Sequence, residues 1–84
     1  MTITFSSAAW ADYLWIQEHD RVLLRRINQL IRDIQRSPFD GIGKPEPLKG
    51  KLSGFWSRRI NEEHRLVYEV TPNGIAIAGC RYHY

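Results

Sequence analysis

Cysteine is nearly absent from this chain of 84 residues, since Cys80 is the only one. A lone thiol cannot close an intramolecular disulfide, and no cysteine and histidine cluster has the spacing of a metal site. A single free thiol fits a reducing compartment better than a secreted domain. We therefore expect a cytoplasmic protein that holds no metal ion and no cofactor.

The sequence also lacks segments that address a chain to a membrane. Residues 1–5 contain no basic region followed by an apolar run, which a signal peptide requires. No apolar stretch approaches the roughly 18 residues that a membrane helix needs. The length suffices for one domain, which we assign to residues 1–84.

Basic and acidic groups balance in the first half of the chain, whereas basic groups are in excess in the second half. Residues 1–40 carry five basic and five acidic groups, whereas residues 41–84 carry seven basic and four acidic groups. The whole net charge of +3 thus lies in the second half, among aromatic side chains. This pattern suits a polyanion such as RNA, and an ordinary solvated basic surface fits the composition equally well.

The first half predicts a short strand followed by a helical hairpin. Residues 1–5 alternate and are β-branched, Ser6 or Ser7 caps a helix to about His19, and Asp20 opens a second helix. Ser37-Pro38 ends the second helix. The inward positions expected of the first helix are Trp10, Tyr13, Leu14 and Gln17, and those of the second are Leu23, Ile27, Leu30, Ile31 and Ile34.

Residues 40–54 are rich in glycine and proline, which predicts a loop with no regular element. So long a loop in a small domain is usually functional or disordered. Two prolines flank Glu46 and fix the backbone around it, which favours a functional loop.

The remaining residues predict a three-stranded antiparallel meander over residues 55–60, 64–70 and 75–84. A type I turn with a G1 bulge at Pro72-Asn73-Gly74 pairs Arg65 with Arg81 and puts His83 on their face. A two-residue turn shifts this register by one. The whole pattern predicts an α+β fold, in which the N-terminal strand and the helical hairpin pack on an antiparallel sheet.

The predicted sheet face that carries Arg65, Arg81 and His83 offers groups for cleaving RNA without a metal. That reaction needs a base for the 2′-hydroxyl, an acid for the leaving 5′-oxygen and cations for the phosphate. His83 titrates near neutrality, Arg65 and Arg81 match phosphate geometry, and Glu46 is a base if its loop folds over that face. Each also has a structural explanation, as a frayed terminus, a surface ion pair or a loop carboxylate.

Several segments resemble the YoeB toxins of the RelE superfamily. They are KPEPLK at residues 44–49, LSGFWSRRI at residues 52–60, EEHRLVY at residues 62–68 and the ending CRYHY at residues 80–84. Trp10, Asp12-Tyr13-Leu14 and Ser37-Pro38-Phe39 fit as well, so the resemblance covers essentially the whole chain. It implies a microbial-ribonuclease-like fold and a toxin that cleaves mRNA in the ribosomal A site.

The resemblance also implies a role for each site residue. Glu46 is expected to be the general base, His83 the general acid, and Arg65 the group that stabilises the transition state. Tyr84 is expected to orient the substrate. The substrate-binding set consists of Lys49 and Arg59 on phosphates, Glu63 supporting the site, and Arg81 from the predicted register.

The partners implied are the 70S ribosome with A-site mRNA and a YefM-like antitoxin, through which the complex also binds operator DNA. A homodimer is possible, and no membrane partner is expected. The alternative is a non-catalytic inhibitor that binds the ribosome or DNA gyrase through the basic face, and an ordinary RNA-binding module is a third reading. The gyrase-targeting relatives of this fold do not need the set of Glu46, Arg65 and His83, and the small number of exposed aromatic residues expected outside the C-terminus argues against the RNA-binding module.

Overall fold

The computed structural model describes residues 1–81. In chain order the elements are β1 (Thr2–Phe5), α1 (Ser7–His19), α2 (Arg21–Arg36), β2 (Glu46–Pro47), a single 3₁₀ turn (Gly50–Leu52), β3 (Trp56–Arg59), β4 (Arg65–Thr71) and β5 (Gly74–Gly79). The expected α+β class is confirmed, and residues 40–54 prove to contain two short elements where none was predicted.

The five strands form one sheet in the order β1-β5-β4-β3-β2. Strands β3 to β5 form the predicted antiparallel meander, and β2 adds an antiparallel strand that was not predicted. Strand β1 joins the opposite edge of the sheet and runs parallel to β5, so the sheet is mixed. The approach of β1 to β5 is close at Gly74, where a Cβ atom would clash with the carbonyl oxygen of Thr2. Gly74 is therefore required where the two strands begin.

The helical hairpin turns on a single residue. Asp20 ends α1 by donating its N–H to Ile16 O, and its carboxylate begins α2 by accepting from the Leu23 N–H at 3.0 Å. At the start of α1, Ser6 Oγ accepts from the Ala9 N–H at 3.1 Å. Both predicted caps are confirmed, and they satisfy amide groups that a helix leaves unpaired.

The predicted inward face of α1 is wrong except at Tyr13, which is partly buried and packs against the core. Ala9 and Ile16 are the buried residues, whereas Trp10 and Leu14 remain 48% and 41% exposed. The apolar residues of α1 surround the helix, so their spacing does not define one face. Cys80, directly after β5, lies with its Sγ 3.6 Å from Ala9 O, so the small Ala9 faces the point where the helix comes close to the end of this strand.

The inward face of α2 is as predicted for Leu23, Ile27, Leu30 and Ile34, which are buried, whereas Ile31 is only partly buried. These side chains pack in one core with residues of the two central strands. The strand residues of this core are Leu66, Tyr68, Ile75 and Ile77.

The register between β4 and β5 differs from the predicted one next to the turn. Thr71 pairs with Gly74 around a two-residue loop, and its hydroxyl accepts from the Gly74 N–H at 3.1 Å. The result places Ile75 and Ile77 in the core. The predicted register pairs Thr71 with Ile75 and would have turned Ala76 and Ala78 towards the core instead. Burying an isoleucine side chain contributes about 1.5–3 kcal/mol, well above what an alanine offers, so this register is the more stable one.

A β-bulge then restores the predicted register. Tyr68 pairs with Ile77 while Val67 pairs with Gly79, so Ala78 is an additional residue on β5. Beyond it Cys80 points into the core, as predicted. The bulge therefore reverses the one-residue shift in register before β4 and β5 reach the level of Val67 and Gly79.

Candidate active site

Charged side chains share the sheet face that lies opposite the helices. Glu46 pairs with Ser57 across β2 and β3, and Ser57 pairs with Val67 on β4. Paired residues point to the same side of a sheet, and so do residues two apart along a strand. The opposed pair Arg59 and Arg65 therefore lies on this side too. We call this surface the site face, defined by Glu46, Ser57, Arg59, Arg65 and Val67.

Burial distinguishes the two sides of the sheet. Leu66 and Tyr68, which alternate with site-face residues along β4, are completely buried against the helices. On the site face Ser57 is buried as well, whereas Glu46 and Arg59 are exposed. The Glu46 carboxylate and the Arg59 guanidinium are thus available to a ligand, whereas Ser57 between them is not.

Arg59 and Arg65 are the electrostatic centre of the site face. As opposed residues of an antiparallel pair, their Cβ atoms stand about 4.5–5.5 Å apart, and like charges in that position destabilise a sheet. An anion held between two guanidinium groups turns this repulsion into attraction. Guanidinium groups match phosphate oxygens in geometry, so the pair suits a phosphodiester.

The turn between β3 and β4 holds Arg65 in place. Asn61 Oδ1 accepts from the backbone N–H groups of Glu63 and His64 at 2.9 and 2.7 Å, which closes the turn. Arg65 Nη1 donates to the Asn61 carbonyl at 3.1 Å. These bonds limit the side-chain freedom that Arg65 would lose on binding, and such preorganisation favours electrostatic stabilisation of a transition state.

Glu63 lies in the same turn and contacts the ring of its neighbour. Its Oε1 is 2.8 Å from Nε2 of His64, which is only 7% exposed, whereas the Glu63 side chain is 69% exposed. The structure therefore puts Glu63 close to Arg65 in sequence and against His64 in space. This position suits a residue that supports the site from its border.

The loop of Glu46 and Lys49 is anchored to the sheet rather than free. Beyond the β2 pairing, the Leu48 N–H donates to Phe55 O at 2.9 Å and the Leu48 side chain is buried. Lys49 is exposed and precedes the 3₁₀ turn, whose Leu52 N–H bonds to its carbonyl. Glu46 is thus held on the site face, where the prediction required it.

A buried arginine fixes the chain that leads to this loop. Arg58 is completely buried, and all five of its N–H donors have acceptors. Nη1 donates to Asp33 Oδ2 at 2.6 Å, and Nε donates to the Tyr68 hydroxyl at 3.2 Å. The remaining three bonds, at 2.6–3.1 Å, go to backbone carbonyls of Ser37, Asp40 and Ile42. We call these partners together the Arg58 network.

Sequence reasoning counted Arg58 only as a basic residue and missed this network. The available signal was Asp33, which sits among the inward apolar residues of α2 and so needs a buried donor. The N–H of Ile42, then Arg58 and Arg36, lower the pKa of the Asp33 carboxyl from 3.8 to about 2. Burial raises the pKa of the Tyr68 hydroxyl above its ordinary value, so Tyr68 stays a hydrogen-bond donor, to Pro38 O at 2.6 Å.

The predicted placement of Arg81 beside Arg65 is wrong. The observed pairs between β4 and β5 end at Val67 and Gly79, and the Arg81 guanidinium lies over the Trp15 ring, 3.6 Å from its centroid. Trp15 belongs to α1 and also stacks on His19. This cation–π contact holds the Arg81 guanidinium against α1 instead of beside Arg65.

Two predicted catalytic residues, His83 and Tyr84, lie outside the described residues.

Cys80, near the end of the described residues, is buried in the core. Its burial raises the pKa of the thiol to about 12, so Cys80 is not a thiolate nucleophile at neutral pH.

Within residues 1–81, no group of three or more His, Cys, Asp or Glu side chains is arranged to hold a metal ion. Over the same residues, neither helix has the length and apolar character required to cross a bilayer.

Residues 5–84 match the model of a family described as the YoeB-like toxin of bacterial type II toxin-antitoxin systems. The chain is 61% identical to toxin YoeB of Synechocystis sp., over 100% of this chain and 98% of that protein. It is 60% identical to toxin YoeB of Escherichia coli K12, over the full length of both. The chain belongs to the YoeB-like toxin family.

Solved structures agree with the fold described above. A YoeB/ParE toxin from Agrobacterium tumefaciens superposes with a TM-score of 0.97 at 46% identity and covers both chains completely. The YoeB chain of a heterotetrameric YoeB-YefM complex from Staphylococcus aureus gives a TM-score of 0.93 at 52% identity, covering 100% of this chain and 98% of that one. A YoeB dimer from the same species gives the same values.

Proposed function

We propose that this toxin is a ribosome-dependent endoribonuclease that cleaves mRNA in the ribosomal A site and so inhibits translation. The observation that carries the proposal is the strand register, which gathers Glu46, Arg59 and Arg65 on one sheet face. A carboxylate beside two opposed guanidinium groups supplies a base and a phosphate site for one reaction. Membership of the toxin family supports the same reading.

In the proposed reaction Glu46 removes the proton of a ribose 2′-hydroxyl. The 2′-oxygen then attacks the adjacent phosphorus, and the bond to the 5′-oxygen breaks as His83 donates a proton to that oxygen. Arg65 stabilises the charge that develops on the phosphate. Cleavage of the RNA thus leaves a cyclic phosphate on one fragment and a 5′-hydroxyl on the other, with no metal ion taking part.

The other site residues hold the substrate in this scheme. Lys49 and Arg59, both exposed, take neighbouring phosphates, Glu63 supports the border of the site, and Tyr84 orients the nucleotide. No direct phosphate contact is proposed for Arg81, because its guanidinium stacks on α1.

The ribosome supplies what the protein lacks. One carboxylate and one histidine are weaker than two strong proton-transfer groups, so the substrate has to be positioned from outside. Positioning lowers a barrier by about 7–11 kcal/mol when the reacting atoms are well aligned. Free mRNA is therefore expected to be cut far more slowly than mRNA engaged in translation.

Two solved structures of relatives suggest the protein partners. The S. aureus structures contain a YoeB-YefM complex and a YoeB dimer. We propose that a YefM-like antitoxin inhibits this toxin in the cytoplasm and binds operator DNA for the complex, and that the toxin is able to form a homodimer.

Single-turnover cleavage on programmed ribosomes at saturating toxin tests the roles. His83→Ala should lose ~10²–10⁴ in rate while ribosome and antitoxin binding persist. Arg65→Ala should lose as much or more, since its charge acts in the transition state. Lys51→Ala, the control, should weaken binding modestly and in a salt-dependent way.

Two outcomes contradict the proposal. If His83→Ala cleaves within a few-fold of wild type, another group donates the proton. Primer extension on translated mRNA tests the nuclease itself: growth arrest without discrete cuts means a non-catalytic inhibitor of the ribosome or of DNA gyrase.

A further inference from the structure

Helix α2 presents a positive surface that the composition of the first half conceals. Between Arg21 and Arg36 the helix carries five arginines and a single acidic residue, Asp33. Asp33 is occupied, since it accepts from Arg58 and from Arg36. The other four acidic groups of residues 1–40 lie outside this helix, so little on α2 offsets its positive charge.

Four of these arginines lie on one side of the helix. At 3.6 residues per turn, Arg21, Arg25, Arg32 and Arg36 fall within about 60° of arc, opposite the buried stripe of α2. All four are exposed. They span roughly 22 Å along the axis, with about 6 Å between the members of each terminal pair. We call these four residues the arginine stripe.

The fifth arginine has a different task. Arg26 donates to the backbone carbonyls of Ile60 and Arg59 at 3.3 and 3.4 Å, which ties α2 to the end of β3. Within residues 1–81, by contrast, Arg21, Arg25 and Arg32 form no hydrogen bond and no ion pair through their side chains. Their guanidinium groups are available to a ligand.

Two adjoining surface cavities follow the stripe, and they share Gln29 and Arg32. One, of about 550 Å³, is lined by Val22, Arg25, Arg26, Asn28, Gln29 and Arg32. The other, of about 530 Å³, is lined by Gln29, Arg32, Asp33, Gln35, Arg36 and Ile42. Of the ten residues that line the two cavities, four are arginines and three carry side-chain amides, and these groups donate hydrogen bonds of the kind that phosphate oxygens accept.

This chemistry favours a nucleic-acid backbone over a protein. A protein partner is usually anchored by aromatic or aliphatic side chains at the centre of the interface. Here the only apolar lining residues, Val22 and Ile42, stand at opposite ends of the two cavities. Two pairs of arginines with amide side chains between them are complementary to the phosphates of a nucleic-acid backbone, without preference for sequence.

We infer that the arginine stripe is a second RNA-binding surface, which takes the phosphate backbone of a structured RNA other than the strand being cleaved. The helices lie on the sheet side opposite the site face, so one RNA strand cannot easily occupy both surfaces. If the proposed function holds, the RNA at the stripe is ribosomal RNA. The toxin is then held between this RNA and the mRNA, which strengthens its binding to the ribosome.

The test is a titration of 70S ribosomes with the toxin, reading equilibrium binding and single-turnover cleavage at each concentration. The variant is Arg25→Gln with Arg32→Gln, because neither side chain supports the fold. The half-saturating concentration should rise about tenfold or more, while the maximal cleavage rate stays unchanged. The slope of log affinity against log salt should fall by about 0.7–0.9 for each phosphate that the variant no longer neutralises.

Two controls separate a site from a general charge effect. Arg25→Lys with Arg32→Lys keeps the charges and should retain most of the affinity. Lys51→Gln removes one charge at a distant loop and should change affinity much less than Arg32→Gln alone. Equal effects of Lys51→Gln and Arg32→Gln would overturn the inference, since net charge would then be sufficient.

Two more results would overturn it. One is ribosome binding by the double glutamine variant that equals wild type. The other is weakened antitoxin binding with unchanged ribosome binding, which would make an acidic protein the occupant. Failure of the proposed function looks different: wild type would then cut no mRNA at any concentration, while the binding curves of wild type and variant would still differ if the stripe binds RNA.

Discussion

Removing one hydroxyl from the Arg58 network should destabilise the protein measurably. In Tyr68→Phe the ring and its packing against Arg58 remain, but the hydroxyl that bonds Pro38 O at 2.6 Å and Arg58 Nε at 3.2 Å is removed. A donor of a charged, completely buried group and a carbonyl then have no partner. Leaving buried polar groups unsatisfied costs roughly 1–3 kcal/mol in the free energy of unfolding.

That cost is large for a chain of this size. At ~2 kcal/mol, the melting midpoint of a domain of 60–100 residues falls by about 8–16 °C. Urea unfolding followed by circular dichroism measures the change directly, and the denaturant slope should stay the same if only stability is altered.

Tyr13→Phe is the matched control. It removes the same hydroxyl from a partly buried residue whose single bond goes to Asn28 Oδ1 at 2.7 Å, a neutral acceptor on α2. We expect a cost of about 0.5–1.5 kcal/mol there. If Tyr68→Phe is no more destabilising than Tyr13→Phe, the Arg58 network does not tether the loop as the hydrogen bonds indicate.

Three further predictions concern stability and reactivity. Gly74→Ala should destabilise by roughly 1–3 kcal/mol, because its Cβ would clash with Thr2 O, whereas Gly79→Ala has open space and should stay within about 0.5 kcal/mol; equal unfolding midpoints would contradict this. Hydrogen bonds from a backbone amide and guanidinium groups lower the pKa of Asp33 from 3.8 to about 2, so the stabilisation by its carboxylate is complete above pH 4 and is lost as the pH falls from 3.8 to about 2. Asp33→Asn should therefore flatten the dependence of the unfolding free energy on pH in this range, and an unchanged slope would refute this reasoning. Burial raises the pKa of Cys80 to about 12, so a thiol reagent at pH 8 should label the native protein far more slowly than the urea-unfolded one, and similar rates would show an exposed thiol.

Local signals determined the two helices and the positions of the main strands, but not the two short elements within residues 40–54. Ser6 and Asp20 begin the helices because their side chains accept from amides three residues on, which the sequence alone specifies. The inward stripe of α2 follows equally from its spacing. The family could also be recognised from the sequence, because the segments around Glu46 and Arg65 are each a continuous run of residues that resembles the family.

Which faces meet depends on contacts between residues far apart in sequence. The α1 pattern is apolar around the helix, so only packing against β5 selects Ala9 and Ile16. The register of β5 depends on the competition between a local turn preference and the burial of Ile75 and Ile77, followed by one inserted residue. Turn chemistry alone therefore predicted the wrong pairs near the turn and the right one at Val67.

The candidate site was decided at both levels. Its residue types are a property of the sequence, but only the tertiary structure places Glu46, Arg59 and Arg65 in register on one face. The same holds for Arg58, whose letter in the sequence does not differ from that of Arg59. One is exposed for a ligand and the other is buried with five acceptors, because strand alternation turns Arg58 towards Asp33, a residue 25 positions away that itself required a partner.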